Sequence, residues 1–157
     1  MSTNKTAAPS LLSASQLNII RACAEECKHQ QSGELSVYDM ICAYSYAYAR
    51  RDCPITVDDI LELGILAEPE VNENGFRLTA VRFANGKVLN NQTTIPREIE
   101  TLITLGQDVL TPEEFYKQFE EIHPFADGNG RVGRIIYNWL RKSLDTPVSS
   151  PVVEFKP

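Results

Sequence analysis

The chain has 157 residues, 43% of them hydrophobic, and carries a formal net charge of -6 with an isoelectric point near 5.0. This length suits one domain with a sizeable core and is too short for two. The acidic balance argues against a nucleic-acid-binding protein, because neutralising phosphates requires a basic surface.

The first third of the chain predicts an N-terminal arm followed by two helices. Residues 1–15 are expected to form a flexible arm before a single domain over residues 16–157. A first helix, ended by Ser32-Gly33, is predicted from apolar residues at helical spacing, namely Leu17, Ile20, Ala24 and Cys27. A second helix, capped by Ser36, is predicted from Val37, Met40, Ile41, Tyr44 and Tyr48.

The next stretch predicts a short helix and then a β-hairpin. Thr56-Val57-Asp58-Asp59 is typical of a capping box, and the helix that it starts should run to Leu66. From Gly75 the apolar period changes to two, which predicts strands at 76–83 and 87–89 around a turn at Asn85-Gly86. Because a lone hairpin is marginally stable, we expect it to pack on the helices. It is either a surface loop or a flap whose free edge accepts an extended partner segment.

Three further helices are predicted in the second half of the chain. The first starts at Pro96 and carries Ile99, Leu102, Ile103 and Leu105. The second starts at a Thr111 cap followed by Pro112, and ends before His123-Pro124. The third buries one face made of Val132, Ile135, Ile136, Trp139 and Leu140. Arg131 and Arg134 lie on its opposite face, and the proline-containing tail from residue 146 should be extended.

Four cysteines lie at positions 23, 27, 42 and 53. They show neither CxxC spacing nor clustered histidines, so we expect reduced cysteines in the core instead of a zinc site or a disulfide framework. The N-terminus lacks the apolar run of a signal peptide, and no stretch of about 18 apolar residues could span a membrane. We therefore expect a cytoplasmic protein, although export by a specialised secretion system would leave no such mark.

Residues 123–134 combine a candidate base, a candidate metal ligand, three glycines and two arginines. Backbone N–H groups at a helix start lack partners, and Gly128-Asn129-Gly130 would let a phosphate approach them closely. Arg131 and Arg134 could bind further phosphate oxygens. Asp127 is suited to holding the magnesium ion of a nucleotide, and His123 to removing a proton from a hydroxyl group. Together these residues indicate nucleotide-dependent group transfer.

Other nucleotide and metal motifs overlap this stretch. The spacing of Gly128, Gly130 and Gly133 satisfies the dinucleotide-binding pattern GxGxxG, with Glu154 where a ribose-binding acid would stand. That pattern must follow a strand, whereas residues 111–122 predict a helix. A P-loop lacks its Lys-Ser/Thr pair, and an EF-hand would have Arg131 at a ligand position.

Residues 123–134, HPFADGNGRVGR, resemble the Fic family signature HxFx(D/E)GNGRxxR at every specified position. The resemblance extends over about residues 36–150. The hairpin, with Arg77 and Asn85-Gly86 followed by Ile95-Pro96, is similar to the flap of that family. The resemblance implies an all-α fold, a Fic-like helical bundle with one β-hairpin flap at about residues 76–89.

The resemblance also implies an activity, transfer of AMP from ATP with Mg²⁺ to a Ser, Thr or Tyr hydroxyl of a target protein. In that family pattern His123 is the base, Asp127 the magnesium ligand, and Gly128, Asn129 and Gly130 the anion hole. Arg131 and Arg134 bind the outer phosphates. The flap aligns the target through Phe76, Arg77, Leu78, Thr79, Ala80 and Val81.

Two alternatives to AMP transfer stay open. Gly130 stands where the Doc branch carries lysine, which favours nucleotidyl transfer over phosphorylation, but some family members transfer other nucleotide-linked groups. A non-catalytic module that binds nucleotide or protein is the second alternative.

The resemblance bears on regulation as well. Many family members have a helix with the pattern (S/T)xxxE(G/N), whose glutamate pairs with the second signature arginine and blocks the γ-phosphate site. Ser150 with Glu154, and Thr94 with Glu98, match this pattern except at its last position. We therefore expect either a separate antitoxin-like inhibitor or no inhibition. From the acidic charge and the lack of a long apolar stretch we expect neither a nucleic-acid nor a membrane partner.

Overall fold

A computed structural model describes residues 12–29 and 34–154. In these ranges the chain forms six helices and one two-stranded antiparallel hairpin, which confirms the predicted all-α fold. The elements are α1 (Ala14–His29), α2 (Glu34–Ala49), α3 (Val57–Ala67), β1 (Val81–Arg82), β2 (Val88–Leu89), α4 (Ile95–Gly106), α5 (Pro112–Ile122) and α6 (Asn129–Leu140). None of these helices is long and apolar enough to cross a membrane.

Helix α6 lies at the centre of the core. Its residues Val132, Ile135, Ile136 and Trp139 are buried, as predicted, and it packs against α2, α3 and α5. The Trp139 indole N–H donates to the carbonyl of Cys53 at 3.2 Å. Removal of apolar surface from water is the main force holding such a core. The turn that precedes α6 is therefore attached directly to the centre of the domain.

Helices α3 and α5 begin at the predicted capping boxes. The Thr56 side chain accepts the N–H of Asp59 at 3.1 Å, and the Asp59 carboxylate accepts the N–H of Thr56 at 2.8 Å. Thr111 and Glu114 make the same reciprocal pair at the start of α5. Each box satisfies two donors that the helix leaves unpaired. The Thr111 cap sets where α5 starts, and the length of this helix places His123 at its end.

The buried face of α1 differs from the prediction. It consists of Ile19, Ala22, Cys23 and Cys27. Leu17 and Ala24 are exposed, because two apolar stripes exist on this helix and packing against α2 selects the other one. Ser36 lies inside α2 and does not cap it, since α2 already includes Glu34. Ser32-Gly33 and residues 1–11 of the predicted arm lie outside the described residues, and α1 starts at Ala14.

The hairpin is shorter than predicted. Val81 pairs with Leu89 and Arg82 with Val88, around a turn at Gly86, whose φ of 86° suits glycine. Residues 76–80 are not a strand. The Phe76 ring packs against Phe125, with ring centroids 5.6 Å apart, so this segment packs on the turn before α6 instead of continuing β1.

The cysteine prediction is correct for only part of the set. Cys23 and Cys27 are buried and reduced, whereas Cys42 is half-buried and Cys53 is exposed. Within the described ranges no group of three or more His, Cys, Asp or Glu side chains is arranged to hold a metal ion. Leu105, predicted to face the core from α4, is also exposed.

Candidate active site

His123 follows the last residue of α5 and has a left-handed backbone, with φ 50° and ψ 64°. Its N–H still donates to the Phe119 carbonyl at 3.0 Å, but Pro124 has no N–H and cannot continue the helix. The chain therefore turns sharply at this residue. The turn brings the imidazole to the end of α5 that adjoins the start of α6.

Burial lowers the pKa of the His123 imidazole below its ordinary value, an effect partly opposed by the backbone carbonyl of Glu120. The positive charge of Arg77 lowers this pKa further. The Phe83 ring, from the hairpin, contacts the imidazole edge to face with centroids 4.9 Å apart. A lowered pKa keeps the ring neutral at physiological pH, the form that can accept a proton.

Phe125 anchors the turn in a slot on α3. A Cβ atom at Gly64 would lie 2.1 Å from the Phe125 ring, so the slot exists only because residue 64 has no side chain. The buried Asn72 amide donates to the Gly64 carbonyl at 3.0 Å and to the Asp127 carbonyl at 2.9 Å. The turn is thus fixed to α3 at two points, one apolar and one polar.

Asn129 closes the turn on itself. Its side-chain oxygen accepts the N–H of Phe125, and its side-chain nitrogen donates to the Phe125 carbonyl, both at 2.9 Å. The side chain is buried and committed to these bonds, so any contact with phosphate would come from its backbone N–H. Gly128, at φ 80°, precedes the helix in a conformation that suits glycine.

The start of α6 presents unpaired donors. The helix's first backbone bond runs from Val132 N–H to the Gly128 carbonyl at 3.0 Å. The N–H groups of Asn129, Gly130 and Arg131 therefore have no acceptor within the helix. They carry partial positive charge, which favours an anion such as phosphate at this position.

Asp127 lies at the mouth of the turn with a carboxylate that is 65% exposed. One of its oxygens accepts the Gly128 N–H at 2.7 Å and lies 3.8 Å from the Arg131 guanidinium. Magnesium in nucleotide sites is held by one or two carboxylates together with phosphate oxygens and waters. A single accessible carboxylate beside unpaired N–H groups fits that arrangement.

Arg131 and Arg134 are both only 2% exposed, and each is already bound to other parts of the domain. The Arg131 guanidinium pairs with Glu68 and donates to the Ala67 carbonyl at the end of α3. The Arg134 guanidinium pairs with Glu26 on α1 at 2.9 Å and donates to the Val148 carbonyl in the tail at 3.2 Å. We expected both guanidinium groups to bind phosphate. In the structure each pairs with a carboxylate, Arg131 with Glu68 and Arg134 with Glu26.

A cleft of about 580 Å³ extends from Gly130 along Arg134. Its walls also include Glu26, Tyr116 and the tail segment 149–153. Glu120 is buried nearby, beside Tyr116 and Gly133, and burial together with the charge of Glu26 raises its pKa from 4.5 to about 7. The cleft therefore places the Arg134–Glu26 pair next to the start of α6, with the carboxyl group of Glu120 buried beside the Tyr116 wall.

Sequence reasoning missed several side chains that shape this site. Glu26 lies on the buried face of α1, between Ala22 and Cys27, and an acid within an apolar stripe is a detectable signal. The inhibitory pattern did not identify Glu26, because Ala22 stands where the pattern requires Ser or Thr and Cys27 where it requires Gly or Asn. Neither proposed match pairs with Arg134, since Glu98 is bound to Asn91 and Thr94, and Glu154 is exposed. Glu68, Asn72 and Phe83 left no sequence signal that we could identify.

Comparisons with known proteins identify the family and the fold. The model of the Fic/DOC family matches residues 54–140, which span α3 to α6. The fold is similar to that of Fic-1 from C. elegans, with a TM-score of 0.53 at 15% identity over 90% of this chain. The chain spans 55% of the length of that structure. No curated protein matches the sequence. The matched family covers more than half of the chain and includes the entire turn, and the protein therefore belongs to the Fic/DOC family.

Proposed function

We propose that this protein transfers AMP from ATP to a hydroxyl side chain of a target protein. The observation that carries the proposal is the turn between α5 and α6. It places a histidine with a lowered pKa directly before a helix start whose N–H groups of Asn129, Gly130 and Arg131 have no helical acceptor. A hydroxyl that loses its proton to His123 can attack a phosphorus atom held at those donors.

The side chains of the turn also fit a magnesium nucleotide. Asp127 offers an exposed carboxylate, and the metal would shield the phosphate charge and orient the leaving diphosphate. The hydroxyl oxygen forms a bond to the α-phosphorus as the bond to the β-phosphate oxygen breaks. Pyrophosphate leaves, and His123 holds the hydroxyl proton. Residues 78–80, which precede β1, are exposed and lie beside the hairpin on which a target segment would align.

Incubation with a cell extract and ATP labelled at the α- or γ-phosphate tests this proposal. Label retained on protein only from α-labelled ATP is the expected result. Retention only from the γ-position would mean phosphorylation, and retention from neither would favour a non-catalytic module. His123→Ala should abolish transfer and leave ATP binding within about twofold, because the base acts on the hydroxyl. His29→Ala, at the only other histidine, is the matched control and should keep full transfer.

The site's regulation is proposed to be internal. Glu26 pairs with Arg134, the second arginine of the signature, at 2.9 Å, and the side chains of Glu26 and Arg134 are 12% and 2% exposed. Arg134 cannot bind an outer phosphate while it holds this carboxylate. The pair supports an inhibitory glutamate on α1, in place of the separate inhibitor chain or the absence of inhibition that the sequence pattern led us to expect.

A further inference from the structure

Arg77, which the family resemblance placed on the exposed flap, is only 4% exposed. Its guanidinium donates to four acceptors, namely the carbonyls of Thr79 at 2.7 Å, Ile122 at 3.3 Å and His123 at 2.7 Å, and the side-chain oxygen of Asn91 at 2.5 Å. Its own backbone N–H donates to the Pro124 carbonyl at 2.9 Å. A side chain this buried and this fully bonded does not dock a partner.

The acceptors of Arg77 belong to two separate regions. Ile122 and His123 are the end of α5, where the candidate base lies. Thr79 precedes β1 and Asn91 follows β2, so they are the two ends of the hairpin. Asn91 strengthens the same link, because its amide donates to the Ile122 carbonyl at 3.1 Å and to Glu98 on α4 at 3.0 Å.

The carbonyls at the end of α5 need these donors. The last carbonyls of a helix have no partner within it, and His123 leaves the helix in a left-handed conformation uncommon for a residue with a side chain. A buried acceptor without a donor is costly, and charged donors make the stronger bonds. The planar fork of arginine presents five N–H donors from three nitrogens and so reaches acceptors that lie apart, whereas the three donors of lysine share one nitrogen.

We infer that Arg77 is a positioning residue, which holds the imidazole of His123 in fixed register with both ends of the hairpin. This inference rests on the proposed function for its consequence in transfer. A target segment aligned on the hairpin would then present its hydroxyl to the base at a set distance. Arg77 touches neither nucleotide nor target in this arrangement and acts through the backbone of His123.

The test compares Arg77→Gln and Arg77→Lys with Arg97→Gln, at an exposed arginine of α4 outside the hairpin, which serves as the matched control. The chain has only two histidines, so NMR can follow the His123 imidazole with His29 as an internal reference. Both Arg77 variants should move the His123 ring signals and leave those of His29 in place. Only Arg77→Gln should raise the pKa at which the His123 imidazole titrates, because lysine keeps the positive charge that lowers it.

In transfer assays we expect kcat to fall about 100-fold for Arg77→Gln and KM for the target to rise, since small misplacements of a reacting group have effects of that size. ATP affinity should stay within about twofold. Should the Arg77 variants fail to fold, Asn91→Ala removes one link to the hairpin and should raise KM for the target more than it lowers kcat.

Folded Arg77 variants whose His123 signals match the wild type would overturn the inference. The NMR measurement needs no transfer, so it separates this inference from the proposed function. A protein that transfers nothing, but whose His123 ring moves in both variants, would refute AMP transfer and retain the positioning of His123 by Arg77.

Discussion

Arg131 and Arg134 lie one turn apart on α6, are equally buried, and are held by different parts of the chain. Arg131 pairs with Glu68 at the end of α3, within residues 54–140 that match the family. Arg134 pairs with Glu26 on α1 and with the tail, both outside those residues. One arginine is thus held within the part of the chain that matches the family, whereas the other is held by elements that flank it.

This difference separates two roles that a buried ion pair can have. Removing one partner of a buried pair leaves an uncompensated charge, which strongly destabilises a fold when no other group can reach that charge. Around Arg134, a cleft of about 580 Å³ would let solvent or phosphate replace the lost carboxylate. We therefore expect the Glu68 pair to act on stability and the Glu26 pair on activity.

Glu26→Gly should produce the largest effect, a rise in transfer rate of about 100-fold, which corresponds to about 2.7 kcal/mol. The physical reason is that Arg134 becomes available to the outer phosphates of ATP. Initial rates with α-labelled ATP measure the change. Glu25→Gly, one position earlier on the exposed side of α1, is the control and should leave the rate near that of the wild type. An unchanged rate in Glu26→Gly would show that the ion pair is only structural.

Glu68→Gln should lower the free energy of unfolding by about 2 kcal/mol, because the buried guanidinium of Arg131 then keeps only the exposed carboxylate of Asp127, 3.8 Å away, as a compensating charge. Urea denaturation measures this loss. Unlike Glu26→Gly, the variant should show no increase in transfer rate. If Glu68→Gln instead raised transfer while keeping its stability, the two arginines would not differ as the structure indicates.

The effect of Glu120 should be visible only through the pH dependence of stability. Its pKa is about 7 in the folded protein, above the 4.5 expected when unfolded, so the folded state binds the extra proton between these values. Stability from this group is present below pH 4.5 and is lost as pH rises to about 7. Glu120→Gln cannot titrate, and from pH 5 to 8 it should gain on the order of 2 kcal/mol relative to wild type. Thermal unfolding of both proteins at pH 5 and pH 8 measures this change in relative stability. An equal stability difference at the two pH values would contradict the raised pKa of Glu120.

Local signals in the sequence were sufficient for much of this fold. The capping boxes at Thr56 and Thr111 predicted where α3 and α5 begin, because their hydrogen bonds join residues three positions apart. The apolar spacing of α6 predicted its buried face for the same reason. The spacing of the turn at 123–134 was specific enough to predict the family, which the comparison confirmed.

Contacts between distant segments could not be read in the same way. The two apolar stripes of α1 are equivalent by spacing, and only packing against α2 chooses between them. Arg77 follows an alternating pattern typical of a strand, yet its acceptors at Ile122 and His123 lie some 45 residues away. Glu26, the partner of Arg134, lies 108 positions earlier in the chain. The residues around Glu26 lack the Ser/Thr and the Gly/Asn of the family's inhibitory motif, so the motif did not identify this glutamate.

Gly64 lowers the intrinsic stability of α3 but leaves room for the ring of Phe125, which fixes the turn that follows His123. Glycine within a helix costs roughly 1 kcal/mol relative to alanine. Alanine at this position would strengthen α3 taken alone but would collide with the ring of Phe125. A substitution that raises helix propensity at this position would thus displace the buried ring of Phe125 and the turn that carries His123, so the intrinsic stability of α3 and the packing of the turn make opposing demands on one residue.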